Sequence, residues 1–325
     1  MRWWKWTSVA LLAASTVVRG SGLIVCGTDS LPALACRKDL MPIASLPLRK
    51  SVAPQLPLPT AGPPERVNKV RPARAVALAA FAISANTLAY EKFKNIWWQH
   101  PTTAFHLYRG WRQNEGWYDL GPHDSLWLHM DKFGHYYNAR LLSLAFADAF
   151  EWIGLKEKSS TRWGALAGWL IMLQIELFDS RYREWGFSIG DMLANTAGAA
   201  VPLLSEKSVI NRFTLKWSYQ PSGGPSYWMD DYEAMTFWLC ANPRDFLPPE
   251  LRAFWPAFIN LAVGYGITQK AYGEIEWSLA LDYNPARLQP RHPALKKVLS
   301  YLNYLHLPAP TVRLKPHVRF DVLGF

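Results

Sequence analysis

The sequence predicts an α+β protein: a mainly helical, membrane-associated bundle of about four helices, followed by a small antiparallel β segment. Three observations carry this. Apolar residues recur at helical spacing in several stretches between residues 75 and 204, and after Pro202 the period falls from 3.6 to 2. The chain also holds 17 Trp, 14 Tyr and 15 Phe. Trp and Tyr collect at membrane–water interfaces because an apolar ring there carries a polar N–H or O–H. A Trp-rich carbohydrate-binding surface is the competing explanation of that aromatic content.

Charge separates the N-terminal part from the rest. Residues 1–74 hold 11 Lys and Arg against 3 Asp and Glu, which leaves only +2 of the formal +10 for the remaining 251 residues. A nucleic-acid binder carries basic residues on its folded face, so no nucleic-acid partner is expected. Met1–Trp6 is basic and Thr7–Val18 is apolar but short, the order of a signal peptide or N-terminal anchor over residues 1–22. Arg19-Gly20-Ser21-Gly22 follows without a clean A-x-A. Cys36 stands after Leu34-Ala35 in a weak lipid-attachment context, with Ala33 where Leu is expected. Residues 23–73 read as a basic, Pro-rich linker, since nine prolines fall between positions 31 and 72 with no hydrophobic period. With three cysteines (Cys26, Cys36 and Cys240) and no CxxC pair, a disulfide scaffold and a zinc finger are both excluded.

The bundle is expected over residues 74–205. Ala75–Tyr90 is a small-residue helix, and the aromatic, histidine-bearing stretch Trp97–Trp117 reads as a loop with short helical turns. Asp131–Leu155 has Phe133, Tyr136, Tyr137, Leu141, Leu144 and Ala145 at helical spacing. Arg162–Phe178 is the most apolar helix, and Ser188–Leu204 opens on an N-cap serine and ends near Pro202. None reaches the ~20 uninterrupted apolar residues of a comfortable bilayer span. Residues 206–325 form the Trp/Tyr-rich C-terminal region. There Phe213, Leu215, Trp217 and Tyr219 alternate with polar residues, as do Ile275, Trp277, Leu279, Leu281 and Tyr283. Ile259–Ile267 and Val318–Phe325 are further strands. Period 2 implies one wet and one buried face, and a small sheet laid against the helices or the membrane is expected.

The informative residues lie within the apolar helices. Asp131 and His135 are four apart, with Lys132 beside them; Glu176 and Asp179 are three apart, followed by Ser180 and Arg181; Asp191 and Asn195 are four apart. Each pair shares a helix face. Unpaired charges are costly to bury, so the three pairs are expected to converge. Gly198, one turn on, allows another helix to approach.

The strings HMDKFGH (His129–His135), ELFDSR (Glu176–Arg181) and GFSIGDMLANTAG (Gly186–Gly198) resemble the YfiM-like family of uncharacterised bacterial envelope proteins. Its members carry Asp-Lys-x-x-His, Glu-x-x-Asp-Ser and Gly-Phe-Ser-x-x-Asp in this order. VanZ-like membrane proteins are similar more loosely, with the same opening and a later Asp-x-x-x-Asn-x-x-Gly. Longer members of the YfiM-like family also resemble the chain at Phe105-His106, Asp231-Tyr232, Phe237-Trp238-Leu239, Ala262–Gly266, Ser278–Asp282 and Leu307–Pro310. The resemblance then spans residues 85–312. Short members have a clear lipid-attachment cysteine, which this chain lacks. The resemblance implies a cell-envelope, membrane-associated location and no particular activity.

Two function classes follow. As an enzyme acting on an envelope lipid or cell-wall precursor, the chain would use His135, Glu176 and Asp191 for acid–base catalysis. Alternatively His135, Glu176, Asp179 and Asp191 would ligate zinc, manganese or iron, with Asp131 orienting His135. Lys132 and Arg181 would face an anionic headgroup. As a non-catalytic scaffold, the preferred reading, the cluster with Asp131, Lys132, Arg181 and Asn195 would only lock the helices together. An enzyme predicts a cleft opening onto the cluster; a scaffold predicts a sealed, fully paired one. Membrane lipid is the expected partner, and export with amphipathic strands favours the outer membrane and periplasmic side over the inner membrane. His100, His106, His123 and His129 read as surface histidines, Asp230, Asp231 and Glu233 as a solvated turn, and Cys240 as a buried small hydrophobe. Ser180 and Ser188 lack a nucleophile-elbow context. The glycines of Gly20–Gly22 and Gly223-Gly224 mark turns or linkers.

Overall fold

A computed structural model describes residues 69–110, 126–204, 208–221, 231–269, 273–314 and 317–325. The expected N-terminal signal or anchor, Cys26, Cys36, nearly all of the expected Pro-rich linker, His123, Asp230 and Gly223-Gly224 lie outside the described residues. Four helices come first: α1 (Pro72–Lys94), α2 (Met130–Ile153), α3 (Glu157–Asp179) and α4 (Ile189–Ala200). A six-stranded antiparallel sheet follows, in chain order: β1 (Phe213–Tyr219), β2 (Met235–Ala241), β3 (Ile259–Ile267), β4 (Ile275–Tyr283), β5 (Ala309–Arg313) and β6 (Arg319–Gly324). One further helix, α5 (Pro293–Leu302), joins β4 to β5. The architecture is α+β, with helices segregated before the sheet.

Helix α1 runs about a turn beyond the expected Ala75–Tyr90 segment. Pro72 starts it where a missing N–H is harmless, and Lys92 and Lys94 in its last turn suit the negative end of the helix dipole. Its 23 residues extend about 35 Å. By length and composition α1 is the one helix among the described residues able to cross a membrane, and none of its residues is buried in the protein. The expectation that no helix reaches spanning length is therefore revised for α1. Gly154 ends α2 at φ +108, where a Cβ would lie 2.3 Å from the Lys69 carbonyl oxygen.

Small residues let α2, α3 and α4 touch through their backbones. A Cβ on Gly164 would lie 2.5 Å from the backbone N of Ala147, and one on Gly168 would lie 2.6 Å from that of Ser143. A Cβ on Gly198 would lie 2.2 Å from the Tyr136 carbonyl oxygen. On its other side α2 lays Met130, Phe133 and Tyr137 on the sheet against Leu215, Met235, Phe237, Tyr265 and Ile267. The Tyr137 hydroxyl donates to the Tyr304 carbonyl at 2.9 Å and that of Tyr265 to Leu128 at 2.5 Å, tying bundle to sheet.

The sheet's polarity differs from the expected wet and buried faces. One face is apolar throughout: the register sets Leu215 beside Leu239, Leu239 beside Val263, Val263 beside Leu279 and Leu279 beside Val312. Helix α2 covers only part of it, leaving Leu261 49% and Leu279 48% exposed. The alternate face is buried and mixed: Lys216, Ser218, Asn260, Ser278, Asp282 and Thr311 share it with the apolar cluster Trp238, Cys240, Ala262 and Ala280. The sheet also curls around this face. Trp217 N donates to Tyr304 O at 3.0 Å and His306 N to Trp217 O at 2.9 Å, so the lead-in to β5 pairs with β1 while β5 pairs with β4. Buried polar side chains are thus concentrated on the inner face, while the outer face is apolar and partly exposed.

Candidate functional site

Members of all three expected polar pairs meet at one end of the bundle, where α2 and α4 begin and α3 ends. His135 is held between two carboxyl groups. Its Nδ1 lies 3.2 Å from Asn195 Oδ1 and 3.5 Å from Glu176 Oε1, and its Nε2 lies 3.8 Å from Asp191 Oδ2. Lys132 Nζ donates to Asp131 Oδ2 at 2.8 Å and forms an ion pair with Asp191 Oδ1 at 3.2 Å, bridging two helices. Ser188 caps α4 by accepting from Asp191 N at 2.9 Å, while its own N–H donates to Glu176 Oε2 at 3.0 Å. Glu176 Oε1, fully buried, accepts no hydrogen bond.

Two sequence candidates lie apart from this centre. Arg181 is exposed, and its carbonyl accepts from Thr103 N at 2.7 Å. Two residues past the end of α3 the chain has left the helix face that carries Glu176, so the guanidinium does not join the cluster. Asp179 is turned toward α1, where its Oδ1 accepts from the Trp98 indole at 2.5 Å amid Tyr90, Phe178 and Tyr182. The atoms able to share a metal ion, all within 4.8 Å of one another, belong to His135, Glu176 and Asp191, without Asp179. One imidazole nitrogen and two carboxylates suit zinc, manganese or iron with an open position. Lys132, already bonded to Asp191, would compete with such an ion.

The two carboxyl groups beside His135 differ in electrostatics. Burial, reinforced by the negative charges of Asp191 and Asp179, pushes Glu176 well above the usual carboxylate range. Burial acts on Asp191 in the same direction, but His135, Lys132 and the Ser188 bond outweigh it and hold Asp191 low. The two carboxyls flanking His135 are thus pushed in opposite directions.

Burial raises Asp179 to about 7, partly opposed by the Trp98 bond. The folded protein therefore keeps a proton that the unfolded chain releases near pH 4, and stability falls as pH rises from about 4 to 7. Asp179→Asn keeps an acceptor for Trp98 and removes this loss. Its stability should match wild type near pH 4 and exceed it by roughly 2–4 kcal/mol at pH 8 in urea unfolding. A difference independent of pH would contradict the assignment.

The backbone enters α2 under strain: Leu128 and His129 have φ of 49° and 63°, rare for residues with side chains. Beside Lys132 a cleft of about 440 Å³ opens, lined by Lys132, Phe133, Tyr136, Ala194, Ile210, Phe213, Leu215 and Leu239. Lys132 thus belongs to both cleft and cluster, and the His135 side chain is 19% exposed. The other described histidines of the helical region are peripheral to the cluster: His100 pairs with Glu184 at 3.2 Å on the surface, His106 lies near Thr103, and His129 precedes α2. Ser180 Oγ donates to the Leu177 carbonyl. Asp231 is buried rather than solvated, accepting from the Tyr219 hydroxyl at 3.1 Å, and Glu233 lies in the short 3-10 turn that follows.

Sequence reasoning missed a second polar centre, inside the sheet. Lys216 Nζ lies 2.7 Å from Asp282 Oδ2, and His306 Nδ1 lies 3.1 Å from Asp282 Oδ1, with all three side chains fully buried. Cys240, buried as expected, is beside them, and burial pushes its thiol well up, which disfavours the thiolate.

No curated protein and no solved structure matches the chain. Residues 114–207, which hold α2–α4 and the whole His135 cluster, match the model of a family described as a predicted periplasmic lipoprotein (DUF2279). The match covers less than a third of the chain and supports a lipoprotein domain of unknown function, located in the cell envelope on the periplasmic side.

Proposed function

We propose that this membrane-associated envelope protein takes the apolar part of an anionic lipid into the cleft and acts on its headgroup with His135, Glu176 and Asp191. The cleft opening beside the cluster carries this reading, because a cluster that only locks helices together needs no opening. Lys132 stands where apolar wall gives way to polar centre, the place for a phosphate. His135 lies within reach of two carboxyls and can pass a proton to or from a bound group. A divalent ion held by the same three residues would supply a polarised water. The apolar outer face of the sheet and the unburied α1 support docking against a bilayer, of which the outer membrane is the proposed one. The likeness of the three sequence strings to YfiM-like and VanZ-like proteins supports the same placement.

One observation favours a second reading, a non-catalytic scaffold. Lys132 ties Asp131 on α2 to Asp191 on α4, as a lock on helix register would.

Incubating detergent-purified protein with phosphatidylglycerol or a polyprenyl phosphate, with added zinc, manganese or chelator, and following the lipid by mass spectrometry separates the two. Wild type should convert one of these lipids, and His135→Ala and Asp191→Asn should do so at least ~100-fold more slowly. Equal conversion by the variants, or none by wild type under any of these conditions, would defeat the enzymatic reading and leave the scaffold.

A further inference from the structure

The polar interior of the sheet borders a second cavity, of about 210 Å³, independent of the helix cluster. The amides Asn242, Asn260, Asn284 and Asn303 line it, together with Thr214, Cys240 and the charged Arg212, Asp245 and Arg287. Asn242 and Asn260 are 2% exposed and fixed by neighbours. Asn242 Nδ2 donates to the carbonyls of Ala257 and Ile259, both at 2.8 Å, and Asn260 Nδ2 donates to Asp282 Oδ2 at 2.8 Å. The other two are incompletely satisfied. Asn284 Oδ1 and Asn303 Oδ1 are buried without a hydrogen-bond partner, and Asn303 as a residue is 9% exposed. Buried polar atoms are almost always paired, so two orphan amide oxygens on one cavity wall point to a molecule that belongs between them.

The chemistry of that molecule is restricted. Asp245 pairs with Arg287 at the cavity edge and Asp282 with Lys216 behind it, while Arg212 on the wall lies over the Phe246 ring. A cation would have to break the Asp245–Arg287 pair, and an anion would have to draw Arg212 off its ring. A metal on Cys240, Asp282 and His306, whose ligand atoms lie within 4.8 Å of one another, would stand against the Lys216 ammonium. An amide side chain offers its oxygen or, after a half-turn, its N–H₂, and a hydroxyl group satisfies either. The volume is below the roughly 300–1,000 Å³ of pockets for drug-sized molecules. We infer that this cavity binds a small neutral polyhydroxy molecule, one sugar ring of a glycan or a free polyol.

The test uses the full chain in detergent and titrates glucose, N-acetylglucosamine, glycerol and inorganic phosphate by calorimetry and by ligand-observed NMR. A sugar or glycerol should bind saturably with Kd in the millimolar range. Asn303→Leu, which fills the cavity, and Asn284→Ala, at a half-buried position, should each weaken binding at least tenfold. The melting temperature of Asn284→Ala should stay within a few degrees of wild type. Preference for the sugars over glycerol would mark a glycan unit, and the reverse a free polyol. Tighter binding of phosphate, no saturable binding of any probe, or binding indifferent to both substitutions would each overturn the inference.

Discussion

Asp282→Ala is expected to destabilise the protein by ~3–5 kcal/mol, because it leaves the Lys216 ammonium buried without its carboxylate. Lys216 keeps only the Tyr283 carbonyl, at 2.6 Å, and His306 and Asn260 each lose an acceptor in the same step. Urea unfolding of detergent-purified protein measures the loss. The double variant Lys216→Met with Asp282→Leu removes both charges, and an apolar pair can replace a buried ion pair at little cost. It should therefore recover most of the stability lost by the single variant. A single variant within about 1 kcal/mol of wild type would show that the pair is not buried against the sheet interior. The pH dependence has a definite sign. Burial works against the ionised form of Asp282, but the bonds from His306, Lys216 and Asn260 prevail and hold its carboxyl low. The stability it contributes is thus present above the ordinary carboxylate range and is lost as the solution is acidified through and below that range.

Gly198→Ala should be the most damaging of the small changes in the bundle. The new methyl carbon would lie 2.2 Å from the Tyr136 carbonyl oxygen and 3.0 Å from its carbon, both backbone atoms that cannot swing aside. Helix α4 must move off α2, and overpacking of this kind costs about 1–3 kcal/mol or more. The same displacement carries Asp191 and Asn195 away from His135, so any lipid turnover should fall along with the melting temperature. Gly134→Ala on α2 is the control. Its Cβ would meet only Phe237 Cζ, at an ordinary 3.8 Å, and alanine in a helix interior is favoured over glycine by ~1 kcal/mol. That variant should be unchanged or slightly more stable. Similar destabilisation of both would mean that helix contact, as distinct from helix propensity, is not what Gly198 serves.

The contrast between the two polar centres shows what the sequence makes legible. The His135 cluster could be read because its residues sit on apolar helices, where a carboxylate four positions from a histidine is out of place. Lys216 and Asp282 obey the alternation of their strands, and a polar residue on an amphipathic strand reads as water-facing. Only the curl of the sheet, closed through Trp217 and His306, turns that face inward. The same logic explains the missed strands. In β2, Met235, Phe237, Trp238 and Cys240 are all buried, so no period survives, and β5 is short and contains a proline. Strands β1, β3 and β4 match the patterns in the sequence, while β6 begins one residue after and ends one before the expected Val318–Phe325. Helix α5 carries Leu295, Val298, Leu299 and Leu302 at helical spacing, a signal that ten residues give only faintly. The exclusion of Asp179 and Arg181 lay beyond spacing, because the chain turns away at the end of α3 and Trp98 claims the carboxylate.

The cleft beside Lys132 has two owners. Lys132, Phe133, Tyr136 and Ala194 come from the stretch shared with the periplasmic lipoprotein family, while Ile210, Phe213, Leu215 and Leu239 come from the chain beyond it. A protein holding only the shared helices keeps the histidine and its carboxyls but loses half the apolar wall. On the proposed lipid reading, substitutions at Phe213, Leu215 and Leu239 would alter the length or branching of the hydrocarbon admitted without disturbing a polar group of the cluster.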